Sequence, residues 1–265
     1  MIEDHLNKKL ANNLLQMYEK KINASNCKKC LESNLKKDLP STFWYIGDHF
    51  EDKSKPRVAF VGKTTWGKWD NESTKNYYES FNHIKGDLKS EEVVCYDKVT
   101  EKSRKGVRFF TAIKNITKSL FNIEKSDCSF LEEIFITNLC KCNVVEKYKE
   151  NKYINITPPE FFCNCKEIFE QEIMITKPSH IVFFTNDYDD IVDSLNYGFR
   201  SEEIFEICLG PRQFKEDKFY PWKIKRFKNR ENMMYSLRTR HPQGTYSEFE
   251  VAIKEWITNS FENVN

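Results

Sequence analysis

The chain has 265 residues and a net charge of only +2, with 31% charged and 14% aromatic residues. That suits one sizeable core, and no run approaches the roughly 18 apolar residues of a membrane span. The opening MIEDHLNKKL lacks the apolar centre of a signal peptide, so the expected location is the cytoplasm, where nine cysteines point to metal or redox chemistry and away from disulfides.

In chain order, His5–Ile22 carries Leu6, Leu10, Leu14 and Tyr18 at helical spacing, which predicts an amphipathic first helix. Asn23–Pro56 is irregular and holds Cys27, Cys30 and the aromatics Phe43, Trp44 and Tyr45. Val58–Val61 is a short apolar strand broken by Gly62. Lys63–Lys105 is polar and turn-rich, a long loop with one helix around Lys75–Ile84. Phe110, Ile113, Ile116 and Leu120 mark the next helix, which leads into the strand Ile134–Thr137.

The best-signalled helix follows. Thr157 and Glu160 form a capping box, Pro158 takes the first helical position, and Phe161, Cys165, Ile168 and Phe169 share a face. Lys177-Pro178 ends it. His180–Thr185 and Met233–Leu237 are two further buried strands, and a last helix from Ser247 buries Phe249, Ile253, Trp256 and Ile257. Strands alternating with helices predict one α/β domain over residues 1–265, with a mostly parallel four-stranded sheet between helices.

Three constellations carry chemistry. Cys27-x-x-Cys30 is a chelating pair, while Cys140 and Cys142 alternate, as do Cys163 and Cys165. One CxxC with two distant thiolates suits an iron–sulfur cluster or a structural zinc. Cys95, Cys128 and Cys208 read as small core hydrophobes. Asn138 ends a buried strand, where open α/β sheets build sites, although a strand-end Asn also commonly caps a turn. Between Arg212 and Arg240 ten Lys or Arg stand against three acidic residues, interleaved with aromatics. That mixture fits phosphates and unstacked bases, or else a solvated face over a core strand.

Taken in order, CKKC, VAFVGKTTWG, ITNLCKCN, EFFCNCKEIFEQEI before Lys177-Pro178, and RHPQG resemble the uracil-DNA glycosylase superfamily. The likeness is to its iron–sulfur-containing, family-4-like bacterial and archaeal branch. It spans Cys27 to about Trp256 and is most specific over Ile134–Thr185. It implies a three-layer α/β/α sandwich and a DNA glycosylase that flips and excises a uracil or modified base. Cys27, Cys30, Cys142 and Cys165 would hold a structural [4Fe–4S] cluster; Cys140 and Cys163 have no counterpart. Val144–Ile156 reads as an insertion.

By the same resemblance, Asn138 reads the flipped base and His241, in His-Pro, stabilises the departing one. Gln243–Tyr246 would enter the duplex. The base-stacking aromatic falls near Tyr77 or Tyr78. The first motif departs from the family: where a carboxylate belongs, the loop Gly62-Lys63-Thr64-Thr65-Trp66-Gly67 carries Lys63. Asp70 or Glu72 is placed to replace it from downstream, and Lys63 itself would contact phosphate or act as an amine nucleophile. Gly62-Lys63-Thr64 is not a phosphate loop, since Arg57 stands where the first Gly is required. The departure points to modified pyrimidines, including those of viral DNA, beside uracil. A non-catalytic iron–sulfur module that binds nucleic acid is the other class it leaves open.

Overall fold

The computed structural model describes residues 6–22, 43–63, 107–124, 129–141, 145–149, 152–155, 157, 159–185, 189–197, 200–207, 222–228, 233–239, 242 and 247–262. Five helices lie among them: α1 (Lys8–Ile22), α2 (Val107–Phe121), α3 (Pro159–Thr176), α4 (Asp189–Asp193) and α5 (Ser247–Glu262). The strands are β1 (Tyr45–Ile46), β2 (Val58–Gly62), β3 (Ile134–Asn138), β4 (Val145–Lys149), β5 (Lys152–Asn155), β6 (His180–Phe183), β7 (Arg200–Ile207), β8 (Trp222–Lys228) and β9 (Met233–Arg238). No described helix is long and apolar enough to cross a membrane.

The α/β class holds, but the expected four-stranded sheet does not. The sheet has seven strands in the order β1-β3-β2-β6-β9-β8-β7 and is mixed. The four expected strands are its parallel centre, β3-β2-β6-β9. Two-residue β1 adds antiparallel to β3, and β8 and β7 add antiparallel beyond β9. The outer strands give no apolar signal because β7 and β8 are rich in charge, whereas the central ones are short apolar runs, as strands covered on both faces are. The segment read as an insertion forms the separate hairpin β4–β5.

Alternation within the central strands divides the core. Ala59, Val61, Phe135, Ile181 and Phe183 pack with Leu10, Leu14 and Tyr18 of α1 and with Phe162, Cys165 and Phe169 of α3. Val58, Phe60, Ile134, Ile136 and Val182 pack on the other side with Ile113 and Ile116 of α2 and with Ile253 and Ile257 of α5. Helices therefore cover both faces. Each of these fully buried large side chains stabilises the fold by about 1.5–3 kcal/mol, so the centre of the sheet is the most rigid platform available to a site.

Topology marks one end of that platform. From β2 the chain adds β3 on one side and later β6 on the other, so the winding reverses at β2. In open α/β sheets ligands bind outside the carboxyl ends of the strands at such a reversal. Here that point is Gly62.

The opposite end is closed by two 3₁₀ turns, Asp48–Glu51 and Ser129–Glu133. They pack so closely that a Cβ on Gly47 would stand 2.1 Å from the Glu132 carbonyl oxygen, which only glycine tolerates. His49 Nδ1 lies 3.2 Å from Glu132 and 3.3 Å from Glu133, and Lys55 Nζ is 2.9 Å from Glu133. The ammonium of Lys55 supplies the cation there.

Candidate functional site

At the reversal, Gly62 and Asn138 are register partners at the ends of β2 and β3. The ladder continues past both: Leu139 N–H donates to Gly62 O (2.8 Å) and Cys140 N–H to Lys63 O (2.8 Å). Phe184 N–H donates to Val61 O (2.8 Å) and Thr239 N–H to Phe183 O (2.9 Å). Four strand ends are thus tied laterally, and the residues that leave them are held by backbone bonds.

Asn138 is buried at 2% exposure, with its side chain over Gly62; a Cβ on Gly62 would meet Oδ1 at 2.5 Å. Its Nδ2 is buried and makes no hydrogen bond among the described residues. Unpaired buried donors are uncommon and cost roughly 1–3 kcal/mol each. An unsatisfied polar group at the end of a central strand is a reason to expect a polar ligand. Thr185 Oγ1, just past β6, is also buried with no hydrogen bond among the described residues, but alternation with Phe183 and Phe184 turns it to the opposite, α1–α3 face.

Phe109, in the first turn of α2, stands against the same point, 3.3 Å from where a Gly62 Cβ would lie. Its ring meets Phe184 edge-on at 5.7 Å and Phe110 at 5.2 Å. Sequence reasoning missed Phe109, which is hidden in an ordinary apolar helix face.

Beneath Asn138 lies a polar group that the sequence did not announce. Lys141 and Glu172 are both fully buried, with Lys141 Nζ 2.6 Å from Glu172 Oε1 in a close ionic contact. Nζ also donates to Thr137 Oγ1 (2.7 Å) and to the Asn138 carbonyl (2.6 Å), and Thr137 Oγ1 donates to Glu172 Oε2 (3.0 Å). The rings of Tyr18 and Phe169 each flank Nζ at 5.8 Å. Burial pulls Lys141 down to about 7, opposed by the Cys165 and Cys140 sulfurs. Burial also pushes Glu172 well above the usual carboxylate range.

Of the four cysteines implied as ligands, Cys165 lies among the described residues; Cys27, Cys30 and Cys142 lie outside them. Cys165 is buried in α3, and its Sγ accepts the Lys141 backbone N–H at 3.3 Å. An amide donor of that kind suits a metal-bound thiolate, so Cys165 fits the role. Its nearest described sulfur is Cys140, at 3.8 Å, while Cys163 is exposed on the same helix. Lys63 is described and half-buried, whereas Thr64, Thr65, Trp66, Asp70, Tyr77 and His241 lie outside the described residues. The structure therefore brings together Gly62, Lys63 and Asn138 and adds Phe109.

The basic stretch is described over β8 and β9. Glu202, Glu203 and Glu206 of β7 are the register partners of Arg226, Lys225 and Lys223 of β8. Lys225 Nζ donates to the Asp193 carbonyl (2.8 Å), and Arg238 pairs with the Asp193 carboxylate at 3.1 Å. Over β8 the reading as a charged face of the sheet is the one these partners favour. Neither a protein-family model nor a curated protein matches this chain.

Proposed function

We propose that this chain is a DNA glycosylase that flips a base into the crevice at the carboxyl ends of β2 and β3 and hydrolyses its N-glycosidic bond. One observation carries the reading: a buried Asn138 amide, its Nδ2 without a hydrogen bond among the described residues, at the winding reversal of the sheet and seated over a glycine. An amide offers a donor and an acceptor in one plane, which matches the pairing edge of a pyrimidine. Phe109 supplies an apolar wall beside it. The resemblance adds Thr64, Thr65, Trp66 and Tyr77 to the pocket lining. It also adds His241 as the donor to the departing base, where charge grows only as the bond breaks. Asp70 would position water in place of the carboxylate that Lys63 displaces.

Cys27, Cys30, Cys142 and Cys165 would hold a [4Fe–4S] cluster, which supplies structural bracing and no step of the reaction. Uracil is the default base, and a modified pyrimidine follows from the altered loop after Gly62. That same loop favours a second reading, a module that binds a flipped base without cutting it. Strand scission at abasic sites, assayed on duplexes containing uracil, hypoxanthine or modified cytosine, separates the two.

A further inference from the structure

The geometry points to Lys141 and Glu172 as a positioning pair for Asn138: a buried ionic clamp that fixes the turn after β3 and so aims the base-reading amide. This rests on the glycosylase reading and adds to it the residues that set base discrimination. Lys141 follows Asn138 by three residues, and its side chain folds back along the turn to close it. Nζ holds the Asn138 carbonyl at 2.6 Å and the hydroxyl of Thr137 at 2.7 Å. Glu172 reaches the same ammonium from α3 at 2.6 Å and the same hydroxyl at 3.0 Å. The backbone N–H of Lys141 is tied separately to Cys165 on α3. Any rotation of the β3 terminus relative to α3 therefore breaks several bonds at once.

Stability alone does not explain the pair. Two charges removed wholly from water generally hold a fold together less well than apolar side chains of the same volume. Tyr18, Phe169 and the surrounding apolar residues would accept a methionine here. What an apolar side chain cannot do is bind the Asn138 carbonyl. The Nδ2 above has no hydrogen bond among the described residues to set its orientation, so its direction depends on the backbone that carries it.

The test uses Lys141→Met, Glu172→Met and the double variant in the full chain. Each single change leaves a buried charge or acid without its partner and should lower the melting temperature. The double variant should recover it, since no buried charge remains. If the pair positions Asn138, the double variant is folded yet loses discrimination. The ratio of kcat/KM for the preferred base over its nearest competitor should fall about tenfold or more, the scale of one misaligned hydrogen bond. The Asn138 side-chain amide signals in a nitrogen–proton spectrum should shift or broaden. Should the double variant not fold, Thr137→Val, which removes the shared hydroxyl, should move both readouts in the same direction. A folded variant with an unchanged ratio and unchanged amide signals overturns the proposal. If the wild type releases no base, the glycosylase reading has failed, and the amide spectrum alone then decides the positioning role.

Discussion

Gly62 and Asn138 are paired across the ends of two parallel strands so closely that any side chain on the glycine would press into the amide, with Cβ 2.5 Å from Oδ1. The site begins from this packing. Gly62→Ala should displace the Asn138 side chain and strain Phe109, which the new methyl group would meet at 3.3 Å. Overpacking of this kind costs about 1–3 kcal/mol, readable as a lowered denaturant midpoint. Base recognition should fall with it. An alanine variant as stable and as selective as the wild type would show that the two residues do not constrain each other.

Asn138→Ala should separate function from stability. Its Nδ2 has no partner to lose, so truncation should change folding free energy by no more than about 1 kcal/mol. Base choice should nevertheless be relaxed or abolished. A large loss of stability, measured by urea unfolding, would mean that the amide holds the fold and is not reserved for a ligand.

The cysteines yield a prediction in colour and metal content. Anaerobically purified protein should be brown, with about four irons per chain. Cys165→Ser should bleach it, and so should serine at Cys27, Cys30 or Cys142. The exposed Cys163 should be dispensable. Cys140, 3.8 Å from Cys165, is the sensitive control: bleaching in Cys140→Ser with colour retained in Cys142→Ser would reverse the assignment. Zinc without iron would replace the cluster altogether.

His180 gives the pH dependence. It begins β6, fully buried, with Nε2 2.9 Å from Ser260 Oγ and Nδ1 2.9 Å from Ser179 Oγ. Burial, reinforced by the charge of Arg57, pulls its imidazole from 6.5 down to about 3. Between those values the unfolded chain binds a proton that the folded chain refuses. Its contribution is therefore intact above pH 6.5 and is lost as the pH falls towards 3, at up to about 1.4 kcal/mol per pH unit. His180→Gln should flatten that part of the stability profile. An unchanged slope would mean that another group carries the acid sensitivity.

The parts of the fold legible in the sequence were those with one strong local signal. Continuous apolar runs gave Val58–Val61 and Ile134–Thr137, each of which extends one residue further in the structure, and period 3.6 gave α2 and α5. Capping chemistry gave α3, though the helix begins at Pro159, one residue after the position the capping box marks. β7 and β8 were not legible because they pair at long range through mixed charged and apolar residues, and their partners become visible only in register. At the candidate site, the strand end made Asn138 legible as a candidate. Lys141 and Glu172 were not, because 31 positions separate them and each alone reads as a solvated charge. Their burial follows from the turn after β3, and no local pattern encodes it.

Base release is the most direct measurement of the central claim. Wild-type protein with its metal intact should be incubated with duplex and single-stranded oligonucleotides carrying uracil, hypoxanthine or modified cytosine, and the freed base quantified by chromatography. The account predicts a free base and an abasic strand from at least one substrate. It also predicts that His241→Ala lowers turnover on the order of 10²–10³-fold with little change in binding, as expected for a donor that acts mainly in the transition state. No base released from any of these substrates by metal-replete protein would contradict it.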